Sequence, residues 1–353
     1  MTSDAATTVM QPSGRAWLRS IGEALLPLGV ALAIAALILL VSGFDPIEVY
    51  RLLLVESFGD ARRIGATLAA STPLILTGLA TAIAFRAGVF NVGVEGSLYV
   101  CGMAAAYVGF AATGLLGFLM VPAALLAAVI VGALWMWLPG VLRARLDVDE
   151  VVTTLMLNFI AISLTSYLVN GPLLAPGSAN SATPMIADAA RLSPIMPPST
   201  LNTGFLIAVA LLVLYAFWSS RSALGFESRL TGLSPRFAIA SGIDVRKVIV
   251  GMMLLSGAVG GIAGGIHVLG NIHRFVAGFS PGYGFTGIAV ALLGRNSAVG
   301  MLLAAILFGA LTTSGATIQL FSDVPIEIVN ILQGMVMIFA VARFGLLVGK
   351  GRP

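Results

Sequence analysis

Cysteine, histidine and charge are all scarce in this sequence. One cysteine, Cys101, in 353 residues permits no intrachain disulfide and no cysteine-based metal centre. The two histidines, His267 and His273, stand six residues apart, which is not a same-face helical spacing for a shared ligand set. Charged residues make up only 10% of the chain, where a soluble protein carries about 25%. HExxH, GxSxG and GxGxxG patterns are all missing. The stretch from Gly345 to Gly351 imitates a phosphate loop, but its glycine spacing is one short and no Ser or Thr follows Lys350. Any ATP used must therefore be hydrolysed by another polypeptide.

What fills the space is apolar. Hydrophobic residues are 58% of the chain, 41 glycines come on top of that, and the mean hydropathy is +1.02. A soluble globule has too little interior for this much apolar surface. Soluble enzymes, disordered chains and nucleic-acid binders are excluded, and the expectation is an all-α, polytopic membrane protein. A crossing helix needs about 20 mainly apolar residues, and ten candidate spans follow: 24–43, 66–85, 90–112, 115–139, 150–169, 201–219, 248–269, 283–294, 297–317 and 325–342. Broken or short spans are expected near 90–96 and 283–294. The first run is too long for a signal peptide and no small-x-small cleavage pattern follows it, so it reads as a retained span.

Ten spans put both termini on one side. With the termini inside, fourteen of the 19 Lys and Arg residues fall in cytoplasmic segments, leaving Arg51, Arg62, Arg63, Arg191 and Arg274 outside. The positive-inside rule supports that orientation. It divides the chain into a cytoplasmic tail 1–23, a transmembrane domain 24–346 and a cytoplasmic tail 347–353. The outer loop 170–200, rich in Pro, Ser and Ala, reads as an irregular connector or as a lid. The inner loop 220–247 predicts a short helix at 235–240, with Pro235 at its first position, Ser234 as N-cap and Gly242 as C-cap. Docking into a partner and simple lipid contact both fit that loop.

Ionisable groups within spans cost roughly 2.5–3.5 kcal/mol at the bilayer centre and point to function. Glu95 lies in Asn91-Val92-Gly93-Val94-Glu95-Gly96, where two glycines let the backbone leave helical geometry. It either satisfies the backbone of its own broken helix or contacts a solute. Asn158, in the middle of the fifth span, reads equally as helix glue or as a solute contact. Asn330 and Gln333 share a helix face, as do His267 and Asn271. The overlapping GxxxG steps from Gly257 to Gly265 predict close helix packing. So few carboxylates supply an ion-coupled secondary transporter poorly.

Several stretches resemble one family. Phe90 to Gly96 is similar to the NxGxEG segment of inner-membrane permeases of bacterial ABC importers, in the group serving branched-chain amino acids, ribose-type sugars and nucleosides. Glu150 to Asn158 resembles that group's EVxxTxMLN segment. Leu230 to Pro235 and Ala238 to Ile243 resemble its cytoplasmic coupling region, and Gly282 to Asn296 its GYGFxGIAVALLGRN stretch. Length and the second of these segments most resemble the larger of two paired permeases in nucleoside importers. Ser97 and Asp149 depart from the pattern, replacing a frequent Gln and Asn. The resemblance implies a non-catalytic subunit of the bacterial inner membrane that binds no cofactor itself. Its partners would be an ATPase subunit using ATP and Mg, a second permease in a hetero-pair, an external solute-binding lipoprotein and the lipid bilayer, with no nucleic acid. Coupling to the ATPase would fall to Gly232, Ser234, Pro235, Ala238, Gly242 and Ile243. The solute path would take Asn91, Glu95, Asn158 and Phe285, with a ribose-like sugar as the alternative solute.

Overall fold

The computed structural model describes residues 29–321, apart from 31, 113 and 115, together with 330, 331, 333–335, 337 and 338. The two expected tails, the Gly345–Gly351 stretch, the start of the first span and most of the last lie outside the described residues. The architecture is all-helical: α1 (Leu32–Val41), α2 (Pro46–Phe58), α3 (Ala61–Arg86), α4 (Val94–Ala111), α5 (Gly117–Leu146), α6 (Glu150–Asn170), α7 (Gly204–Arg221), α8 (Ala223–Leu233), α9 (Pro235–Ala240), α10 (Val245–His267), α11 (Tyr283–Leu293) and α12 (Ala298–Phe321). Seven of these, α3 to α7, α10 and α12, are long and apolar enough to cross a membrane. Residues 330, 331, 333–335, 337 and 338 are also helical. Helices thus stand at all ten expected spans.

Two helices were not anticipated, α2 and α8. Glu48, Arg51 and Glu56 interrupt the apolar run in α2, so hydropathy passes over it. Asp45 caps it by accepting from the Ile47 amide, with Pro46 at the first position. Ser57 ties it to α12 by donating to the Ala310 carbonyl at 3.0 Å. Asp60 then caps α3 by accepting from Arg63 N–H at 2.8 Å.

The centre of the bundle is α3, α4 and α10. The glycine stripe of α10 sets their separation. A methyl at Gly257 would run into the Gly132 carbonyl of α5, one at Gly261 into the Ala128 carbonyl, and one at Gly264 into the Leu98 carbonyl of α4. Without side chains in the way, backbone packs on backbone, which is how helices associate where lipid removes the hydrophobic drive. Around this centre, α5 and α7 turn outward uniformly apolar faces, with Leu126, Ile130, Leu134 and Trp137 on one and Leu206, Val213 and Phe217 on the other. Such faces suit lipid.

The loops sort to two ends. At one end, residues 171–203 form a hydrogen-bonded cover: Thr183 N–H donates to Phe275 O at 2.9 Å, Ile186 N–H to His273 O at 2.9 Å, and Leu192 N–H to Leu269 O at 3.0 Å. The expected irregular connector is irregular yet tightly tied down. At the other end lie the α3–α4 turn, the α5–α6 corner and α8–α9.

Candidate functional site

After Arg86 the chain turns back at Gly88, whose φ of +75° favours glycine, and re-enters the bundle before α4 begins. Asn91 measures the depth. Its amide donates to Ser256 Oγ of α10 at 2.8 Å, and Ser256 donates to Ala80 O of α3 at 2.7 Å. Ala80 lies about 9 Å inside the end of its helix, at 1.5 Å per residue. A helix that starts inside a membrane leaves its first N–H groups without water. Gly93, the N-cap of α4, has no side chain to help. Neighbours supply the acceptors instead. Asn91 Oδ1 accepts from Gly93 N–H at 2.8 Å, and Asn158 of α6 accepts from Gly96 N–H at 2.8 Å while donating to Val92 O at 3.0 Å. Thr154 accepts from Val92 N–H at 3.3 Å. A methyl at Gly96 would sit 2.8 Å from Asn158 Oδ1, so α6 requires that glycine.

Glu95 does something neither sequence reading anticipated. Residues 273–282 descend beside α4, with Phe279 against Gly102 and Ser280 O accepting from the Tyr99 hydroxyl at 3.4 Å. They deliver α11, whose 11 residues span only ~16 Å, about half of a ~30 Å hydrocarbon core. Ser280 Oγ accepts from the N–H groups of Gly282 and Tyr283 at 3.2 and 3.1 Å, and Glu95 Oε2 accepts from Gly284 N–H at 2.6 Å. Glu95 stands in the first turn of α4 and also caps α11, so the positive ends of two helices converge on one carboxylate that is 3% exposed. A methyl at Gly284 would strike the Glu95 backbone. Asn91, Glu95 and Asn158 are therefore brought together by the broken helices, while Phe285, 39% exposed, faces out of this junction.

At the C-terminal end of α3, beside the turn into α4, sits the predicted cytoplasmic helix, found at α9. Ser234 Oγ accepts from Phe237 N–H at 3.3 Å and Pro235 takes the first position. Gly242, at φ +82°, lies one residue beyond the C-cap Ser241. Ile243 N–H reaches Ala238 O and Gly242 N–H reaches Ile239 O, both at 3.0 Å, which completes a Schellman end. Ala238 is fully buried beneath it, whereas Phe237 and Ile239 project at 59% and 63% exposed. Asp244 caps α10 and pairs with Lys247 at 3.1 Å; hydrogen bonding to Lys247 holds its carboxyl below the usual aspartate range.

Sequence reasoning missed what holds α8 and α9 to the bundle. Gly232 packs on the backbone from Arg86 to Gly88, and a methyl there would meet the Arg86 carbonyl and come within 2.9 Å of Gly88 N. Arg86 itself donates to Gly225 O at 3.2 Å and to Ser219 O, with its guanidinium 6.0 Å from the Trp218 ring centroid. As a sequence position Arg86 signals only topology, and nothing near it marks the clamp. Among the described residues no group of His, Cys, Asp and Glu could hold a metal ion. His267 and Asn271 do meet, at 3.2 Å, and Gln333 donates to Thr312 Oγ1 at 3.3 Å.

Residues 63–341 match the family described as "Branched-chain amino acid transport system / permease component". The chain is 39% identical over 329 residues to the guanosine ABC transporter permease protein NupP of Bacillus subtilis, covering 92% of this chain and 93% of that one. It is 34% identical to the glucose ABC transporter permease protein TsgB13 of Haloferax volcanii, covering 92% and 88%. It is 33% identical to the nucleoside ABC transporter permease protein NupB of Lactococcus lactis, covering 88% of each. With its half-helices, apolar crossing helices and capped helical end piece, the chain belongs to this permease family and is a multi-pass permease component of an ABC importer in the cytoplasmic (inner) membrane.

Proposed function

We propose that this chain is one of two permease subunits in an ATP-driven importer that carries a nucleoside from an external binding lipoprotein into the cytoplasm by alternating access. The observation that carries the substrate class is the likeness to NupP over nearly the full length of both chains. The name of TsgB13 favours a second reading, the same kind of permease serving a simple sugar.

The second permease chain differs from this one and completes the path as a hetero-pair within the bilayer. A separate ATPase subunit binds ATP and Mg and hydrolyses the nucleotide. It grips α9, where Ser234, Pro235, Gly242 and Ile243 fix the helix ends, buried Ala238 seats the helix and exposed Phe237 and Ile239 enter the partner's groove. Motion of α9 then bears through Gly232 on Arg86–Gly88 and so on the re-entrant turn. Of the four path residues, Phe285 meets the solute, and Asn91, Glu95 and Asn158 hold the half-helices that shape its passage.

The test is the assembled importer in proteoliposomes with loaded binding protein and internal ATP. Labelled guanosine should accumulate, and Phe237→Ser with Ile239→Ser should abolish uptake and release the ATPase while the binding protein still binds solute. Accumulation of glucose or ribose but not guanosine would transfer the assignment to the sugar reading. Uptake driven by a proton or sodium gradient with no ATPase present would overturn it altogether.

A further inference from the structure

A cavity of about 140 Å³ opens beside the start of α11, between α3, α12 and the helical residues at 330 and 333. Leu74 of α3, near the middle of its helix, forms its wall, which sets the cavity near the midplane of the bundle. Its polar lining is Tyr283, Thr286, Thr312, Asn330 and Gln333. Three features define what it accepts. Among the described residues no charged side chain lines it, and a charged solute without a partner is costly at this depth. The N–H groups of Gly282, Tyr283 and Gly284 at the start of α11 are already taken by Ser280 and Glu95, which withdraws three of the helix end's donors from any anion. The free volume is about five times the ~30 Å³ share of one water, the size class of a sugar ring.

The amides are also oriented. Gln333 Nε2 donates to Thr312 Oγ1, and Thr312 in turn donates to Phe308 O at 2.9 Å. That leaves Gln333 Oε1 as an acceptor, with Asn330 one turn away on the same face. The Tyr283 ring, fixed edge-on against His267 at 5.1 Å between centroids, supplies an apolar wall. Hydroxyl-rich rings are bound by this combination of amide, hydroxyl and aromatic surface.

We infer that this cavity is a binding subsite for the neutral sugar ring of the transported solute. A ring of this size is common to the ribosyl group of a nucleoside and to a free sugar, so the site accommodates either solute. The inference rests on the transport reading above and names the residues that would serve it.

Two measurements test it. Cys101 is the only cysteine in the sequence and is buried, so Thr312→Cys provides a single reactive thiol in this chain, read on its separated band in the assembled importer. Its labelling by a methanethiosulfonate reagent should slow at least fivefold in millimolar guanosine or ribose, and not in millimolar leucine. In proteoliposomes, Gln333→Leu should lower the solute moved per ATP hydrolysed about tenfold, with Gln333→Asn restoring part of the loss. Labelling that ignores both guanosine and ribose, together with an unchanged ratio in Gln333→Leu, overturns the subsite even if guanosine is transported. Protection by ribose in an importer that rejects guanosine keeps the subsite and removes the nucleoside reading instead.

Discussion

Asn158→Leu is the sharpest probe of the broken-helix junction. Asn158 is 2% exposed, and its amide serves two backbone groups, accepting from Gly96 N–H and donating to Val92 O. Leucine is nearly the same size but serves neither. Two buried backbone groups lose their partners, at about 1–3 kcal/mol each, or ~2–6 kcal/mol together. Interhelical side-chain hydrogen bonds in membranes average only ~0.6 kcal/mol, because the separated helices find other partners. That lower figure does not transfer here: Gly96 N–H belongs to the first turn of α4, where the helix itself has no acceptor to offer. At ~2–4 °C per kcal/mol, the apparent melting temperature in detergent should fall by about 4–24 °C, read by the fraction surviving heating and size exclusion. Asn158→Asp keeps the acceptor but sets a second oxygen against Val92 O, and should be no better than leucine. A fall of less than about 2 °C for both variants would show that this amide is incidental and that α4 starts without it.

Two other changes probe the ends of the bundle. Gly232→Val should drive α8 off the α3–α4 corner, since even a methyl there meets the Arg86 carbonyl; overpacking costs about 1–3 kcal/mol, and uptake should drop sharply while the chain still inserts and purifies, as compared by membrane abundance and transport. At the covered end, burial and the nearby Arg191 charge hold His273 below its usual range. A base with a depressed value binds its proton more readily when released, so the loop is at full stability above pH ~6.5 and loses it as the pH falls below that. Hydrogen exchange of residues 182–192 should therefore speed up between pH 7.5 and 5.5 beyond the intrinsic change, and His273→Gln should remove the excess.

Hydropathy located the spans because crossing helices must be apolar, whatever they pack against. It passed over α2 because two carboxylates and an arginine there lower the mean, although the helix buries Val49 and Leu53 against its neighbours. The cap chemistry of α9 was readable from Ser234, Pro235 and Gly242, since caps depend on residues adjacent in sequence. Partners far apart were not readable. Glu95 and Gly284 are 189 residues apart, and the contact of Gly232 with Arg86–Gly88 is between backbones, which leaves no trace in side-chain type beyond two glycines. The glycines of Asn91 to Gly96 were noticed as flexible; the contacts show that they are needed for closeness, to α6 at Gly96 and to Thr154 at Gly93.

The scarcity of charge and the breaking of helices are two sides of one design. An interrupted helix inside lipid exposes N–H groups that cannot be left unpaired, and a side chain on the same interrupted turn is poorly placed to serve them all. The acceptors must come from other helices, so each break becomes a point of attachment. At α4 Thr154 and Asn158 of α6 join the local Asn91; at α11 Glu95 of α4 joins the local Ser280. The same 87–93 turn that leads into α4 begins where Gly232 and the Arg86 clamp secure α8. Backbone contact is therefore continuous from α8 through the turn to α4, and one buried carboxylate carries it on to α11. One buried carboxylate is enough for this task because it meets two helix ends at once. A second carboxylate there would have no positive end left to face, and the cost of burying it would go unopposed.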